Sequence, residues 1–297
     1  MTYDTNLNSS FSKAELFTSA LEASTGRTPD TAFSDPMDSM DVLDALSDIL
    51  LTSHPDRGFN ILARTGILRQ LLPEVYALKG FGDGIRHKDV WLHTMQVVRQ
   101  TPPVLIIRWA ALFHDIGKVS TRRFTPDGQV TFTGHPETGA RMFDKIAGRL
   151  PFPEHAAQSI RFLTAAHLRG SAYTADWTDS AVRRFAKDAG DDLPALLTLA
   201  RADITSKYPE KVLKGLRQIN SFAVRINQVL KEDAKPALLP KGLGTELIAR
   251  AGAVPGPDLG RLMKKLAALV ENGTIPSGSP PDTFIEYLNS GRLKPAT

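Results

Sequence analysis

The stretch ALFHDIGK at residues 111–118 sets an imidazole and a carboxylate side by side among apolar residues. With VLIIRWA in front of it, the run reads as a buried helix that carries His114 and Asp115 into the interior. Two strongly hydrated groups are costly to bury, at about 1–3 kcal/mol for each one left without a partner. Any fold this chain adopts must supply that partner.

It must do so without sulfur. The chain contains no cysteine, which excludes disulfides and thiolate metal sites together and leaves imidazole and carboxylate as metal ligands. With 297 residues, 42% of them hydrophobic, and a formal charge of +4, it reads as a globular protein of one large or two modest domains. A pI near 9.2 is compatible with a phosphate-bearing partner, although so small a surplus of charge is explained as well by solubility. The N-terminus lacks a basic start followed by an apolar run, and VLIIRWAALF is short and carries Arg108. A cytoplasmic protein with no membrane span is expected.

Residues 1–38 are rich in Ser, Thr, Asp and Asn and read as a flexible N-terminal arm with one helical candidate around Lys13–Leu21. Residues 39–233 are dominated by helical periodicity, with Asp, Ser or Pro at the starts and Gly at the ends of several segments. The one strand signal is RRFTPDGQVTF, a short hairpin around PDG. GFGDGIRH, residues 80–87, has spaced glycines but no strand before it, so it reads as a flexible connection rather than a phosphate-cradling loop. Residues 234–297, dense in Gly and Pro, read as a small C-terminal helical region. The expected fold class is all-α: a helical bundle with one short β-hairpin and a small helical appendage.

His114 and Asp115 have company. His93 lies three residues after Val90 and four before Val97, His167 follows Phe162, Leu163 and Ala166, and Asp203 continues the track of Leu196 and Leu199. By helical period each faces inward. His54 and His155 sit in polar, proline-bearing segments and are set aside, while His87 either leans over the site or is exposed. One inward histidine is an ordinary core residue; several on separate helices are best reconciled by convergence on one or two divalent cations. His93, His114, Asp115 and Asp203 form one candidate set. His135, which opens a helix in FTGHPETG, and His167 either complete a second site with Asp115 bridging or bond to substrate. Nitrogen and oxygen ligands suit Mn, Ni, Fe, Co or Mg. Two such ions are a common device for activating water against a phosphoester.

Lys118, one turn past His114, is a candidate catalytic cation beside Asp115, and Arg122 and Arg123 at the start of the hairpin are candidates for binding phosphate oxygens. Arg169 and Lys207 are weaker candidates for the same role. Each also has an ordinary reading, Lys118 as a cation at a helix C-terminus and the others as solvated surface charge.

The order His93, His114–Asp115, Asp203 resembles the HD superfamily of metal-dependent phosphohydrolases, and His135 and His167 resemble the second-metal ligands of its dinuclear members. A longer run, GFNILARTGILRQLLPEV, HKDVWLHTMQVV, RWAALFHDIGKVSTRRFTPDGQVTFTGHPETGARM, AVRRF and RAD, is similar to the C-terminal half of bacterial tRNA nucleotidyltransferase and poly(A) polymerase proteins that carry an HD domain. LPKGLGTELIARAGAVPGPDLGRLMKKL extends the likeness, which runs from about residue 40 onward. The Asp-x-Asp pair that those proteins use for nucleotidyl transfer is absent, so nucleotide addition is not expected. The resemblance implies metal-dependent phosphatase, 2′-nucleotidase or 2′,3′-cyclic phosphodiesterase activity. Taken with the residues, the expectation is a phosphohydrolase acting on nucleotides, 2′,3′-cyclic phosphates or RNA-terminal phosphoesters, with Asp115 and Lys118 catalytic. The competing expectation is a non-catalytic tRNA-, RNA- or partner-binding module. It would present a basic groove built from Lys211, Lys214, Arg217, Arg225, Lys231, Lys264 and Lys265.

Overall fold

The computed structural model describes residues 12–26, 37–82, 89–234 and 237–291. Helices come first: α1 (Lys13–Thr25), α2 (Ser39–Leu51), α3 (Pro55–Arg64), α4 (Ile67–Leu71), α5 (Pro73–Tyr76), α6 (Val90–Gln100), α7 (Leu105–Phe113) and α8 (Lys118–Thr121). The hairpin follows, with β1 (Arg123–Phe124) paired antiparallel to β2 (Val130–Thr131), Arg123 opposite Thr131. Then come α9 (His135–Ala147), α10 (Glu154–Ala166), α11 (Asp179–Ala189), a single 3₁₀ turn at Gly190–Asp192, α12 (Leu193–Ala202) and α13 (Pro209–Asp233). The chain ends in α14 (Leu243–Ala251), α15 (Pro257–Glu271) and α16 (Pro281–Asn289). The class is all-α, with one two-stranded ribbon among the described residues. No described helix is long and apolar enough to cross a membrane.

Two compact units divide the chain, residues 1–226 and 227–297. The first is built around α7, which packs against α2, α6, α10 and α12. From Ile107 to Phe113 every residue of α7 is buried, as its nearly unbroken apolar sequence requires. Trp109 stacks on Phe113 at 5.3 Å, Phe113 meets Phe143 at 5.3 Å, and Phe152 closes the cluster against Trp109 at 5.1 Å. These aromatic contacts hold α7 to α9 and to the segment just before α10, and fix where the C-terminal end of α7 stands. The second unit has its own core, in which Leu243, Leu247, Leu266 and Phe284 are fully buried.

The segment expected to be a flexible arm contains α1, which packs on α3 with Phe17 and Ala20 fully buried. Ser12 accepts from the Glu15 amide while Glu15 accepts from the Ser12 amide, a capping box that fixes its start. The helix was foreseeable from its caps; its docking was not. The connection at 80–87 falls mostly outside the described residues, and His87 with it.

Arg108, the one charge in α7, is 4% exposed and has no carboxylate partner among the described ion pairs. Its Nη1 donates to the carbonyls of Leu50 and Thr52 at the C-terminal end of α2, and Nε and Nη2 donate to Thr101 O, just past α6, at 3.2 and 3.0 Å. Helix ends leave such carbonyls without intrahelical donors, and they carry the negative pole of the helix. One guanidinium therefore ties two helix ends to the central helix. Arg108→Met is expected to lower unfolding stability in urea by about 3 kcal/mol, because buried acceptors lose a charged donor. A change under 1 kcal/mol would show that the clamp is dispensable.

Candidate metal centre

The helices deliver six side chains to one place. His93 lies within α6, His114 caps α7, Asp115 lies in the turn that follows, His135 is the first residue of α9, and His167 and Asp203 cap α10 and α12. Their ligand atoms fall into two groups, His93–His114–Asp203 and Asp115–His135–His167, with the atoms of each group within 4.8 Å of one another. Asp115 faces both. Its Oδ2 lies 3.2 Å from His114 Nε2 and 3.5 Å from His93 Nε2, and its Oδ1 lies 3.4 Å from His135 Nε2 and 4.0 Å from His167 Nε2.

A repeated local device aims three of the rings. Nδ1 of His114 donates to Ala111 O at 2.7 Å, Nδ1 of His135 to Phe132 O at 2.8 Å, and Nδ1 of His167 to Thr164 O at 2.8 Å. In each case the acceptor is the carbonyl three residues earlier. A carbonyl only accepts, so Nδ1 carries a proton and Nε2 is the ring atom turned to the centre. Thr205 does the equivalent for His93, with its hydroxyl 2.8 Å from Nδ1.

The Nε2 atoms then meet in pairs. His135 Nε2 is 3.2 Å from His167 Nε2, and His93 Nε2 is 3.2 Å from His114 Nε2. Two nitrogens bound to one ion at about 2.1 Å each stand roughly 3.0–3.4 Å apart. Asp115 Oδ1, buried between His135 and His167, accepts no hydrogen bond among the described residues. Both observations fit a cation and neither fits a satisfied apolar core.

Electrostatics point the same way. Burial pushes His167 down to about 4, so that it is neutral at physiological pH. Burial also lowers His93, against the opposing pull of Asp203. Burial works to raise Asp115, but His114 and Lys118 hold its carboxyl well below the usual carboxylate range. Asp203 is likewise depressed against its burial by the bond to His93, at 3.0 Å, and by the neighbouring imidazoles. His114 is the exception: Asp115 and Asp203 raise it despite burial, as expected for the ring nearest two carboxylates. Three of the ligand-bearing positions, His114, His167 and Asp203, also end helices, and each helix C-terminus contributes roughly half a negative charge. Anionic carboxylates and negative helix ends leave a centre that demands positive charge.

Cations lie around it unequally. Lys118 Nζ donates to Asp115 Oδ2 at 2.7 Å and is 21% exposed, so one side of the ammonium faces outward. Arg122 donates to Gly82 O at 3.0 Å and lies over the Phe81 ring, while Arg123 is exposed and bonds to the carbonyls of Ser120 and Arg122. Lys207 is exposed and lies over Tyr208. Arg169 is not brought to the centre: its guanidinium pairs with Asp188 at 2.8 Å and covers the Phe185 ring. Sequence reasoning missed Thr205 and the three carbonyls; histidine at the end of an apolar helix is the signal that could have found those of Ala111 and Thr164.

A centre that gathers H…HD…D from α6, the end of α7 and the end of α12 defines a class. Residues 87–208 match the HD domain family. Beyond that segment, the chain is 31% identical over 261 residues to the CC-adding tRNA nucleotidyltransferase of Thermus thermophilus, an alignment covering 84% of this chain and 57% of that protein. It is 33% identical over 246 residues to the A-adding tRNA nucleotidyltransferase of Deinococcus radiodurans, covering 78% of this chain and 55% of that protein. A multifunctional CCA protein of Ralstonia nicotianae is 29% identical over 214 residues. The chain spans about half the length of these curated relatives.

Proposed function

We propose that the HD domain is a metal-dependent phosphohydrolase acting on nucleotides, 2′,3′-cyclic phosphates or RNA-terminal phosphoesters. The observation that carries this reading is the division of Asp115 between two ligand groups, with Lys118 on one of its oxygens. His93, His114 and Asp203 would hold one divalent ion and His135 and His167 another, with Asp115 serving both. Bound there, Mn, Ni, Fe, Co or Mg supplies Lewis acidity and acidifies water for in-line attack on phosphorus.

The chain's own residues do the rest. Unfilled, the centre repels an anion, because helix C-termini and carboxylates converge on it; a phosphate gains entry only with cations. Lys118, fixed by Asp115 yet partly exposed, offers its outward donors to a phosphate oxygen and neutralises charge that grows in the transition state. Arg122 and Arg123 extend positive charge outward along the start of the hairpin. An RNA terminus is included among the substrates because the relatives named above act on tRNA by their names.

The reading is tested on protein purified without chelators or affinity metals. Elemental mass spectrometry is expected to find one to two divalent ions per chain, and the loaded protein to hydrolyse bis(4-nitrophenyl) phosphate or nucleoside 2′,3′-cyclic phosphates. Ions bound with no hydrolysis of any phosphoester, alongside salt-sensitive tRNA binding, would favour the binding-module reading instead.

A further inference from the structure

We propose that the hairpin and the residues beneath it form a base-stacking track for a single-stranded RNA end, so that the substrate is an oligonucleotide terminus and not a lone mononucleotide. The proposal rests on the hydrolase reading for what happens at the metal centre; the track itself rests on geometry.

The track begins at the centre. Lys118, bonded to Asp115, has its Nζ 5.6 Å from the centroid of the Phe132 ring, and Phe132 lies 6.3 Å from Phe81. Arg122 Cζ covers the other ring in this row, 4.4 Å from the Phe81 centroid, and is 5.6 Å from that of Phe124. Neighbour by neighbour, the sequence of groups is therefore cation, ring, ring, cation, ring. Gly82 O anchors Arg122, so the row is fixed in place.

Phe124 at the outer end is 66% exposed and sits on a strand of two residues, where its ring contributes little to the core. A single exposed ring is unremarkable on a protein surface. This one is the last member of a row that leads to the metal ligands, and Arg123 beside it is an exposed cation. Single-stranded nucleic acid is held by this combination, with cations along the backbone and π-faces beneath successive bases. With a terminal phosphate at Lys118, the first base is within reach of Phe132 and Phe81. Phe124, joined to them through Arg122 and exposed, is the ring left for a further nucleotide.

The test uses the full chain loaded with manganese and a 5′-fluorescein-labelled RNA hexanucleotide with a 3′-hydroxyl end, which offers no terminal phosphate to hydrolyse. By fluorescence anisotropy, Phe124→Ala is expected to weaken binding by about 5- to 100-fold, the range alanine substitution of a stacking ring produces. Phe124→Tyr keeps the π-face and should bind within about twofold of the parent, while Phe124→Leu, which keeps apolar area alone, should resemble alanine. In hydrolysis, the ratio of kcat/KM for a hexanucleotide 2′,3′-cyclic phosphate to that for bis(4-nitrophenyl) phosphate should fall by a similar factor in Phe124→Ala, through KM. Equal RNA affinity in the parent and Phe124→Ala, or equal losses in Phe124→Ala and Phe124→Tyr, overturns the track. Absence of hydrolysis by the parent with the affinity difference intact overturns the hydrolase reading and leaves the track standing.

Discussion

Asp115→Ala is expected to strip the protein of its divalent ions and to reduce phosphoester hydrolysis by at least about 1,000-fold, some 4 kcal/mol of transition-state stabilisation. The size of the effect follows from the position of the carboxylate. Each oxygen faces a different pair of imidazoles, and Oδ2 also fixes Lys118, so a single truncation removes an anionic ligand from both groups and releases the ammonium. What remains near His135 and His167 is a pair of imidazole nitrogens, a poor site for a hard divalent ion. The helices should survive, because α7 and α9 are held together by Trp109, Phe113, Phe143 and Phe152 and not by the ligands. Metal analysis, circular dichroism and hydrolysis measured on one preparation check the three parts together. An alanine variant that keeps its metals and its rate would remove Asp115 from the mechanism altogether.

Much of this was legible in the residue pattern. Helical phase alone places His93, His114, His167 and Asp203 on inward tracks, and the structure brings these side chains together with Asp115 and His135. The hairpin around PDG and the all-α class were equally visible, since turn chemistry and a period of 3.6 residues are local properties. What escaped depends on partners distant in sequence. Periodicity runs the α7 helix through His114–Asp115, whereas it stops at Phe113 and sets the pair in a turn. Arg169 looks as available as Arg122 until Asp188 is seen beside it, and α1 looks like part of a polar arm until α3 receives Phe17.

The helix ends give the centre its particular character. A histidine in mid-helix has no free carbonyl nearby to receive Nδ1–H, because the carbonyl four residues back already serves a backbone amide. At a C-terminus the carbonyls are free, and His114 and His167 each take the one three residues earlier. The bond that satisfies the helix end also selects the tautomer and points Nε2 at the centre, so no remote second residue is needed to orient the ring. His93, which lies inside α6, does need one, and Thr205 from beyond α12 provides it. Thr205→Val should accordingly weaken metal binding through His93 alone, by about 10-fold, read as the chelator concentration that removes half the metal.

Gly117, the glycine of the opening motif, should prove nearly as sensitive as Asp115. Its φ of −67° suits any residue, so conformation does not require glycine there. Space does. A Cβ at this position would run into the carbonyl oxygen of His135 and come within 2.7 Å of the Gly139 amide nitrogen, both of them backbone atoms. The turn after Asp115 thus lies directly on the first turn of α9, and that contact sets the distance from Asp115 Oδ1 to His135 Nε2. Gly117→Ala must push α9 outward, at a cost of about 1–3 kcal/mol for overpacking. The displacement moves His135 away from Asp115 and His167, while His93, His114 and Asp203 stand on α6, α7 and α12 and are not pushed. The expected variant has lost the ion of the His135 group, keeps the ion of the His93 group, and hydrolyses at least about 100-fold more slowly, near 3 kcal/mol. Gly148→Ala is the control on the same helix, since its Cβ would meet nothing closer than 3.5 Å, and it should retain both ions and full rate. Equal metal content and rate in the two variants would mean that α9 yields without consequence and that His135 is not held by this contact.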